Sequence, residues 1–454
     1  MFFKQITTAG LGCFSYAIGC PLAGTMAIID PRRDIGIYLQ TAEDNGMKIT
    51  HIFETHVHAD HISVANDLRT ATGAEIYIHE SAPINYPARR LVDGNEFKLG
   101  EVAFRVLHTP GHTPNSVSLL CFDQARSDEP EMILTGDLLF VGDIGRPDLP
   151  GEDILNEQVE NLYNSLYELL DTLPDYLEVY PAHGQGSLCG KGMSDKPYST
   201  LGYERLANSM LSFPNFDEFK HAILSNLPMR PQSFGMIIKA NLDGLSSAKV
   251  KKLAGCSLSP IEAESYISSG AVALDLRDAK SFAKAHIPGS INVELSDSST
   301  LNWVGVAVPP GALLLLILPD GRSFEEVETD LRRIGCDNIA GCMNGGMEAW
   351  IDSGFETRSL AYLSATELRE RLADADPPVL IDVRSVEEFR NRSIRGSINI
   401  TFDKITGGEG CPVDPDMDAV IICLSGFRSS IAASLLLAKG CKNVSVLTGG
   451  LNAW

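Results

Sequence analysis

Two stretches of this chain carry residue types that do chemistry. The first is "THVHADH" (55–61), where His56, His58, Asp60 and His61 offer four metal-ligand side chains directly after the strand-like run "ITHIFET". Three more candidates follow, each closing a strand-like run: His112 in "TPGHT", Asp137 in "TGD" and His183 in "PAHG". Imidazole and carboxylate are ligands for zinc and for iron, and a sharp turn at a strand end lets such groups converge. A lone histidine is most often a packed or solvated residue. Here five of the 10 histidines fall into short turns after strands, in company with two aspartates, and that pattern predicts a metal site.

The second stretch is "IICLSGFRSS" (421–430). It sets Cys423 between an apolar run and the start of a helix, with no partner at metal or disulfide spacing. The 10 cysteines include no CxxC pair and do not form the pattern of a disulfide framework. Another thiol, Cys189, follows His183 closely in the glycine-rich "HGQGSLCGKGM". Such a loop could bring it to the mouth of the metal site as a relay; a packed or surface cysteine is the alternative.

The elements that must position these groups divide the chain. Strand-like runs in the first half ("ITHIFET", "AEIYIHE", "VAFRVLHT", "SVSLLCF", "EMILTGD", "LEVYPAHG") cluster around helical stretches near 59–70 and 153–172, which predicts two sheets enclosed by helices. "THVHADH" is expected to open the first of those helices. In the second half, "LDLRDAKSFAKAHIPGSINV" (274–293) returns as "IDVRSVEEFRNRSIRGSINI" (381–400), and "GGMEAW" (345–350) returns as "GGLNAW" (449–454). The two pairs occur in the same order, so a domain is duplicated. Short apolar runs alternating with polar helical patterns predict a parallel sheet with helices on both faces of each copy. The prolines of 213–258 are expected to block regular structure and mark the junction.

At 454 residues the chain exceeds a single core. Its net charge of −22 argues against nucleic acid and against anionic membrane, both of which call for basic patches. The most apolar run, "GALLLLILPD" (311–320), is too short to span a bilayer. A cytoplasmic location is expected.

The order HxHxDH, GHT, TGD, AHG resembles the metallo-β-lactamase superfamily over the first half, which implies an αββα sandwich with metal at one edge of its two sheets. With all seven positions filled, the resemblance allows two zinc ions, as in glyoxalase II-like thioester hydrolases. Alternatively, His56, His112 and Asp137 form a two-histidine, one-carboxylate set that leaves open positions on one Fe(II). His58, Asp60, His61 and His183 would then form an outer shell orienting the ligands and handling protons. The ligand inventory alone does not decide.

The repeated copies resemble rhodanese domains. In the second, Cys423-Leu-Ser-Gly-Phe-Arg428 matches the CxxGxR loop of sulfurtransferases. The resemblance implies a loop that turns backbone N–H groups toward the sulfur, with Gly426 permitting close approach and Arg428 binding an anionic sulfur oxide. The first copy has Leu318 or Pro319 in place of the thiol, in a loop expected to be a residue short, which implies a silent domain. Ser393 replaces the histidine of the family's "HIxG" element, retained in the silent copy as His286.

The expected domains are therefore 1–245, 258–356 (silent) and 362–454 (active). This order resembles persulfide dioxygenase–sulfurtransferase fusions of bacterial sulfide detoxification, and "LFVGDIGRPDL" (139–149) favours that branch over glyoxalase II. The resemblance implies one Fe(II) per chain, a low-molecular-weight persulfide and O₂ as substrates, sulfite as intermediate and thiosulfate as product. It leaves open assembly into a homo-oligomer.

Overall fold

The computed structural model describes residues 1–454 except 9, 226, 228, 246–256, 296–298, 409 and 411. The first half holds two six-stranded sheets. One runs in the order Phe2–Thr8, Cys13–Cys20, Thr25–Ile29, Lys48–Phe53, Glu75–His79, Arg89–Leu91. The other runs Ser199–Thr200, Glu178–Pro181, Met132–Gly136, Val117–Asp123, Val102–His108, Glu96–Leu99.

The period of two explains why the sheets stack. Tyr16, Ile18, Ile29 and Phe53 face the other sheet, where they meet Phe104, Leu119 and Leu134 in one core. Their neighbours Ala17, Ile28 and Ile52 face outward onto the helices Ile35–Asp44 and Ala65–Thr72. On the far side Leu120, Phe122 and Ile133 pack against the helices Leu155–Asn164 and Phe216–Ser225. Strands buried on both faces are apolar almost throughout, and the result is a four-layer αββα sandwich.

Two five-stranded parallel sheets make up the second half, in the orders Ser257–Leu258, Ile339–Met343, Leu314–Ile317, Val272–Asp275, Ile291–Asn292 and Ala361–Leu363, Asn443–Leu447, Asp418–Ile422, Val379–Asp382, Ile398–Asn399. Their repeated residues form one lock, used twice. Arg277 pairs with Asp275 at 2.6 Å and Arg384 with Asp382 at 2.7 Å. Asn292 and Asn399 each donate to the two carbonyls of their own Asp-x-Arg turn, all at 2.9 Å. Buried ion pairs that are also hydrogen-bonded tolerate no loose partner, so the motif survives as a unit.

Three expectations need correction. Residues 59–64 do not open a helix, which begins only at Ala65. Asn241 accounts for the difference: its amide donates to the carbonyls of His58 and His61 at 2.9 and 2.8 Å, and its Oδ1 accepts from Ser63 N–H. Those carbonyls are thereby withheld from a helix ladder. The segment 213–258 contains the helices Phe216–Ser225 and Ser233–Asp243; Pro214 and Pro231 stand just ahead of them, where a missing N–H costs nothing. The 246–256 part of that junction lies outside the described residues.

The loop of the silent copy is longer than the active one, not shorter. Its strand ends at Ile317 and its helix starts at Phe324 behind the Ser323 cap, whereas 423–426 alone separates strand from helix in the active copy. Strand register also fixes the equivalence. Ile317 pairs with Asp275 as Ile422 pairs with Asp382, so Leu318 occupies the place of Cys423.

Among the described cysteines seven are free thiols and Cys441 is disulfide-bonded; Cys256 and Cys411 lie outside the described residues. Among the described residues no helix is long and apolar enough to cross a membrane.

Candidate metal centre and thiol loop

The strand ends deliver all seven expected ligands to one buried region. His56, His58, Asp60 and His61 follow Lys48–Phe53, His112 lies between the strands 102–108 and 117–123, and Asp137 and His183 follow Met132–Gly136 and Glu178–Pro181. None of the seven is more than 3% exposed.

Three donor atoms, from His56, His112 and Asp137, converge within 4.8 Å of one another. His112 Nε2 lies 3.2 Å and His56 Nε2 3.9 Å from Asp137 Oδ2, and among the described residues none of the three atoms is hydrogen-bonded. Buried polar atoms are normally satisfied, so three orphans facing one point fit a cation. Each ring is fixed by its other nitrogen: His56 Nδ1 meets Thr55 Oγ1 at 3.0 Å and His112 Nδ1 donates to the Arg146 carbonyl at 2.7 Å. Arg146 is itself held by Asp148 at 2.6 and 2.7 Å. The "GRPD" stretch is thus a brace for His112. Burial lowers the pKa of both His56 and His112, which favours the neutral, ligating form.

The remaining four are arranged differently. His183 sits between two carboxylates and donates to both, with Nδ1 2.6 Å from Asp137 Oδ1 and Nε2 2.8 Å from Asp60 Oδ2. Burial opposes its charge, yet Asp137 and Asp60 raise its pKa well above the usual histidine range. His58 turns Nε2 to Asp30 and Glu54, 3.2 Å from each, and leaves Nδ1 unpartnered, as His61 leaves Nε2. Cys13 joins this second group: its thiol donates to Asp60 Oδ2 at 2.8 Å, and Cys13, Asp60, His61 and His183 bring their donor atoms within 4.8 Å of one another.

Sequence reasoning missed Cys13, Asp30, Glu54 and Asn241. Cys13 and Asp30 stand in or just after ordinary apolar strands, far along the chain from the groups they touch. Asn241, on a helix, gave no signal at all.

Cys189 is brought in. Its sulfur groups with Asp137 and His183, again within 4.8 Å. The residue is buried, and burial followed by the Asp137 charge pushes its thiol pKa well up. It lines a cavity of about 600 Å³ with Arg146, Lys191, Met210 and Phe213. At the cavity's rim Lys191 pairs with Glu387 at 3.0 Å, on the helix Val386–Asn391 of the last repeat.

The Cys423 loop closes on the helix Phe427–Ala438, with Gly426 as its cap at φ 100°, a conformation that suits glycine. Gly426 N–H donates to the sulfur at 3.1 Å and Ser429 Oγ lies 3.4 Å away. Among the described residues Arg428 makes no hydrogen bond to the sulfur. Its guanidinium grips Glu388 with two hydrogen bonds of 2.7 and 2.8 Å, so binding a sulfur oxide requires the pair to open or Arg428 to share its remaining donors. His286 of the silent copy stacks on Phe282 at 3.9 Å, a packing role, while its counterpart Ser393 is exposed.

Burial works against the Glu388 charge, but Arg428 and the Ser385 cap hold its carboxyl at about 2 instead of 4.5. A depressed carboxyl stabilises the fold fully above its unfolded value and loses that contribution as pH falls from 4.5 through 2. Glu388→Gln should therefore flatten the acid-side fall in denaturation midpoint. Midpoints taken from about pH 5 down to about pH 2 check this.

Comparisons agree with this geometry. A model described as "Metallo-beta-lactamase superfamily" matches residues 10–183, and one described as "Rhodanese-like domain" matches 259–353 and 364–454. A hydroxyacylglutathione hydrolase of Nitrosococcus oceani is 33% identical over 51% of this chain and 84% of its own. The mitochondrial persulfide dioxygenase ETHE1 of Mus musculus is 28% identical over 50% of this chain and 83% of its own. The crystal structure of a metallo-beta-lactamase from Staphylococcus aureus subsp. aureus COL superposes with a TM-score of 0.67 at 33% identity, covering 76% of this chain and 98% of that one. With a metal-binding sandwich at its head and the duplicated parallel sheets behind it, the chain belongs to the metallo-beta-lactamase superfamily, as a member that carries two rhodanese-like domains.

Proposed function

We propose that this chain oxidises a low-molecular-weight persulfide with O₂ at one Fe(II), and that Cys423 joins a second sulfane sulfur to the resulting sulfite. The observation that carries the reading is the trio of buried, unpartnered donors on His56, His112 and Asp137, in one chain with a loop-held thiol. Iron bound there would supply the redox chemistry toward O₂ and the persulfide sulfur, because two imidazoles and a carboxylate leave positions for both.

The overall oxidation balances as RSSH + O₂ + H₂O giving RSH, sulfite and protons. Thr55 and the Arg146 carbonyl orient the two imidazoles, and His183, between Asp137 and Asp60, is placed to move protons. At the other site the Cys423 thiolate attacks the outer sulfur of a second RSSH, and RSH leaves. Sulfite then attacks the outer sulfur of the Cys423 persulfide; the S–S bond breaks, thiosulfate departs and the thiolate returns. Since burial disfavours its thiolate, Cys189 is a cavity wall in this scheme and not the attacking group.

A zinc thioester hydrolase with rhodanese appendages is the second reading. It is favoured by the second donor group and by the unpartnered Nε2 of His61, and the hydrolase relative is as similar as the dioxygenase. Against it, both nitrogens of His183 are engaged by carboxylates, which leaves neither free for a second metal.

Metal analysis of protein purified without oxygen, with O₂ uptake on adding a persulfide, separates the two. One iron and uptake support the first. Two zinc ions with thioester hydrolysis and no uptake establish the second.

The silent copy yields a further expectation. Truncating Leu318, Pro319, Asp320 and Arg322 to alanine should leave sulfur transfer essentially unchanged, because Leu318 stands where the nucleophile would be. Loss of transfer in a folded variant would mean that the wrong copy has been assigned the chemistry.

A further inference from the structure

The silent repeat reaches the surroundings of both sites. Ile62 N–H, next to His61, donates to the Arg333 carbonyl at 2.8 Å, and Asn292 N–H donates to Ser434 Oγ on the Cys423 helix at 3.0 Å. One short helix, Thr300–Ala307, approaches both sites at once. Asn302, 4% exposed, donates its side-chain amide to the Leu11 carbonyl at 3.3 Å and to the Gly186 carbonyl at 2.7 Å. Leu11 leads into Cys13, whose sulfur contacts Asp60, and Gly186 follows His183. The two loops are themselves in backbone contact: Gly184 N–H donates to the Gly12 carbonyl at 2.8 Å, and a Cβ on Gly12 would lie 2.8 Å from the Gln185 carbonyl. A single amide therefore fastens two loops that carry the outer groups of the metal cluster.

The next residue faces the other site. The Trp303 indole meets the Phe427 ring edge-on, centroids 5.8 Å apart, and the Phe402 ring at 5.2 Å. Phe427 immediately follows Gly426, whose N–H is bonded to the Cys423 sulfur, and precedes Arg428. An edge-on aromatic contact has a preferred geometry, so Trp303 constrains the residue that hinges the thiol loop onto its helix.

We propose that the 300–307 helix of the silent repeat carries positioning residues for both sites, Asn302 for the loops behind the metal cluster and Trp303 for the Cys423 loop. The assignment rests on the reading of those sites given above. Duplication followed by loss of the thiol has in this account left a working part, because the element in use is remote from the lost nucleophile.

The two side chains can be tested separately in the full chain. Asn302→Ala should weaken retention of added Co(II), titrated into apoprotein without oxygen, by about 10-fold, the lower end of what losing a ligand-orienting partner costs. Sulfur transfer from thiosulfate to cyanide should stay at the wild-type rate. Trp303→Ala should do the reverse, lowering that transfer and the rate of Cys423 alkylation about 10-fold, with Co(II) affinity unchanged. Trp303→Phe should restore both.

Two results overturn the inference: no change in either variant, or parallel loss of both functions with a lowered melting temperature, as a merely structural helix would give. If the wild-type chain itself neither binds Co(II) nor transfers sulfur, the functional reading fails instead.

Discussion

Replacing Cys423 by serine should leave persulfide-dependent O₂ uptake intact while the product shifts from thiosulfate to sulfite. Serine keeps the size of the side chain and can still accept from the Gly426 N–H. Its alkoxide is inaccessible near neutral pH, and it cannot form a persulfide. Transfer should fall by at least about a hundredfold, the scale expected when a nucleophile is removed and only binding remains. The metal cluster contains no residue of that repeat, so oxidation has no reason to change.

Arg428→Ala should produce a milder version of the same shift. It removes the group proposed to bind the anion but leaves the thiol and its loop donor in place, and it also strands the Glu388 carboxylate that the guanidinium now holds. Product analysis under oxygen distinguishes the variants. An unchanged thiosulfate yield from Cys423→Ser would make the thiol a bystander.

The parts legible in the sequence were those written in local pattern. Continuous apolar runs such as "SVSLLCF" and "EMILTGD" announce strands with two buried faces, and the ligands could be read because each follows a strand-like run in a short turn. The repeats were legible because Asp275, Arg277 and Asn292 make one lock whose every member is needed, and so the triplet recurs at 382, 384 and 399.

What stayed hidden was written in contacts across the fold. Nothing near Cys13 in sequence indicates that it will meet Asp60, or near Asn241 that it will hold the carbonyls of His58 and His61. Arg428 could be matched to a loop motif, but its grip on Glu388 depends on where a distant helix packs. Counting residues misjudged the silent loop because strand register, not spacing from a glycine, sets which position faces the site.

The metal cluster supports the other large expectation, a contrast between two histidines. His112→Ala should abolish persulfide-dependent O₂ uptake and leave less than stoichiometric iron, because it removes one of the three unpartnered donors and also opens the brace through the Arg146 carbonyl. His183→Ala should retain iron, with affinity lowered about 10- to 100-fold, the range for losing a group that orients a ligand without binding the metal. That difference follows from where the nitrogens point. His112 Nε2 faces Asp137 Oδ2 with no other partner, whereas His183 bonds the opposite oxygen, Oδ1, and closes onto Asp60. In both variants transfer of sulfur from thiosulfate to cyanide at Cys423 should persist, which shows that the chain is folded. Iron content per chain and O₂ uptake, measured on protein prepared without oxygen, check the contrast. Equal loss of metal from the two variants would place His183 among the ligands, and with it would return the case for a second metal ion.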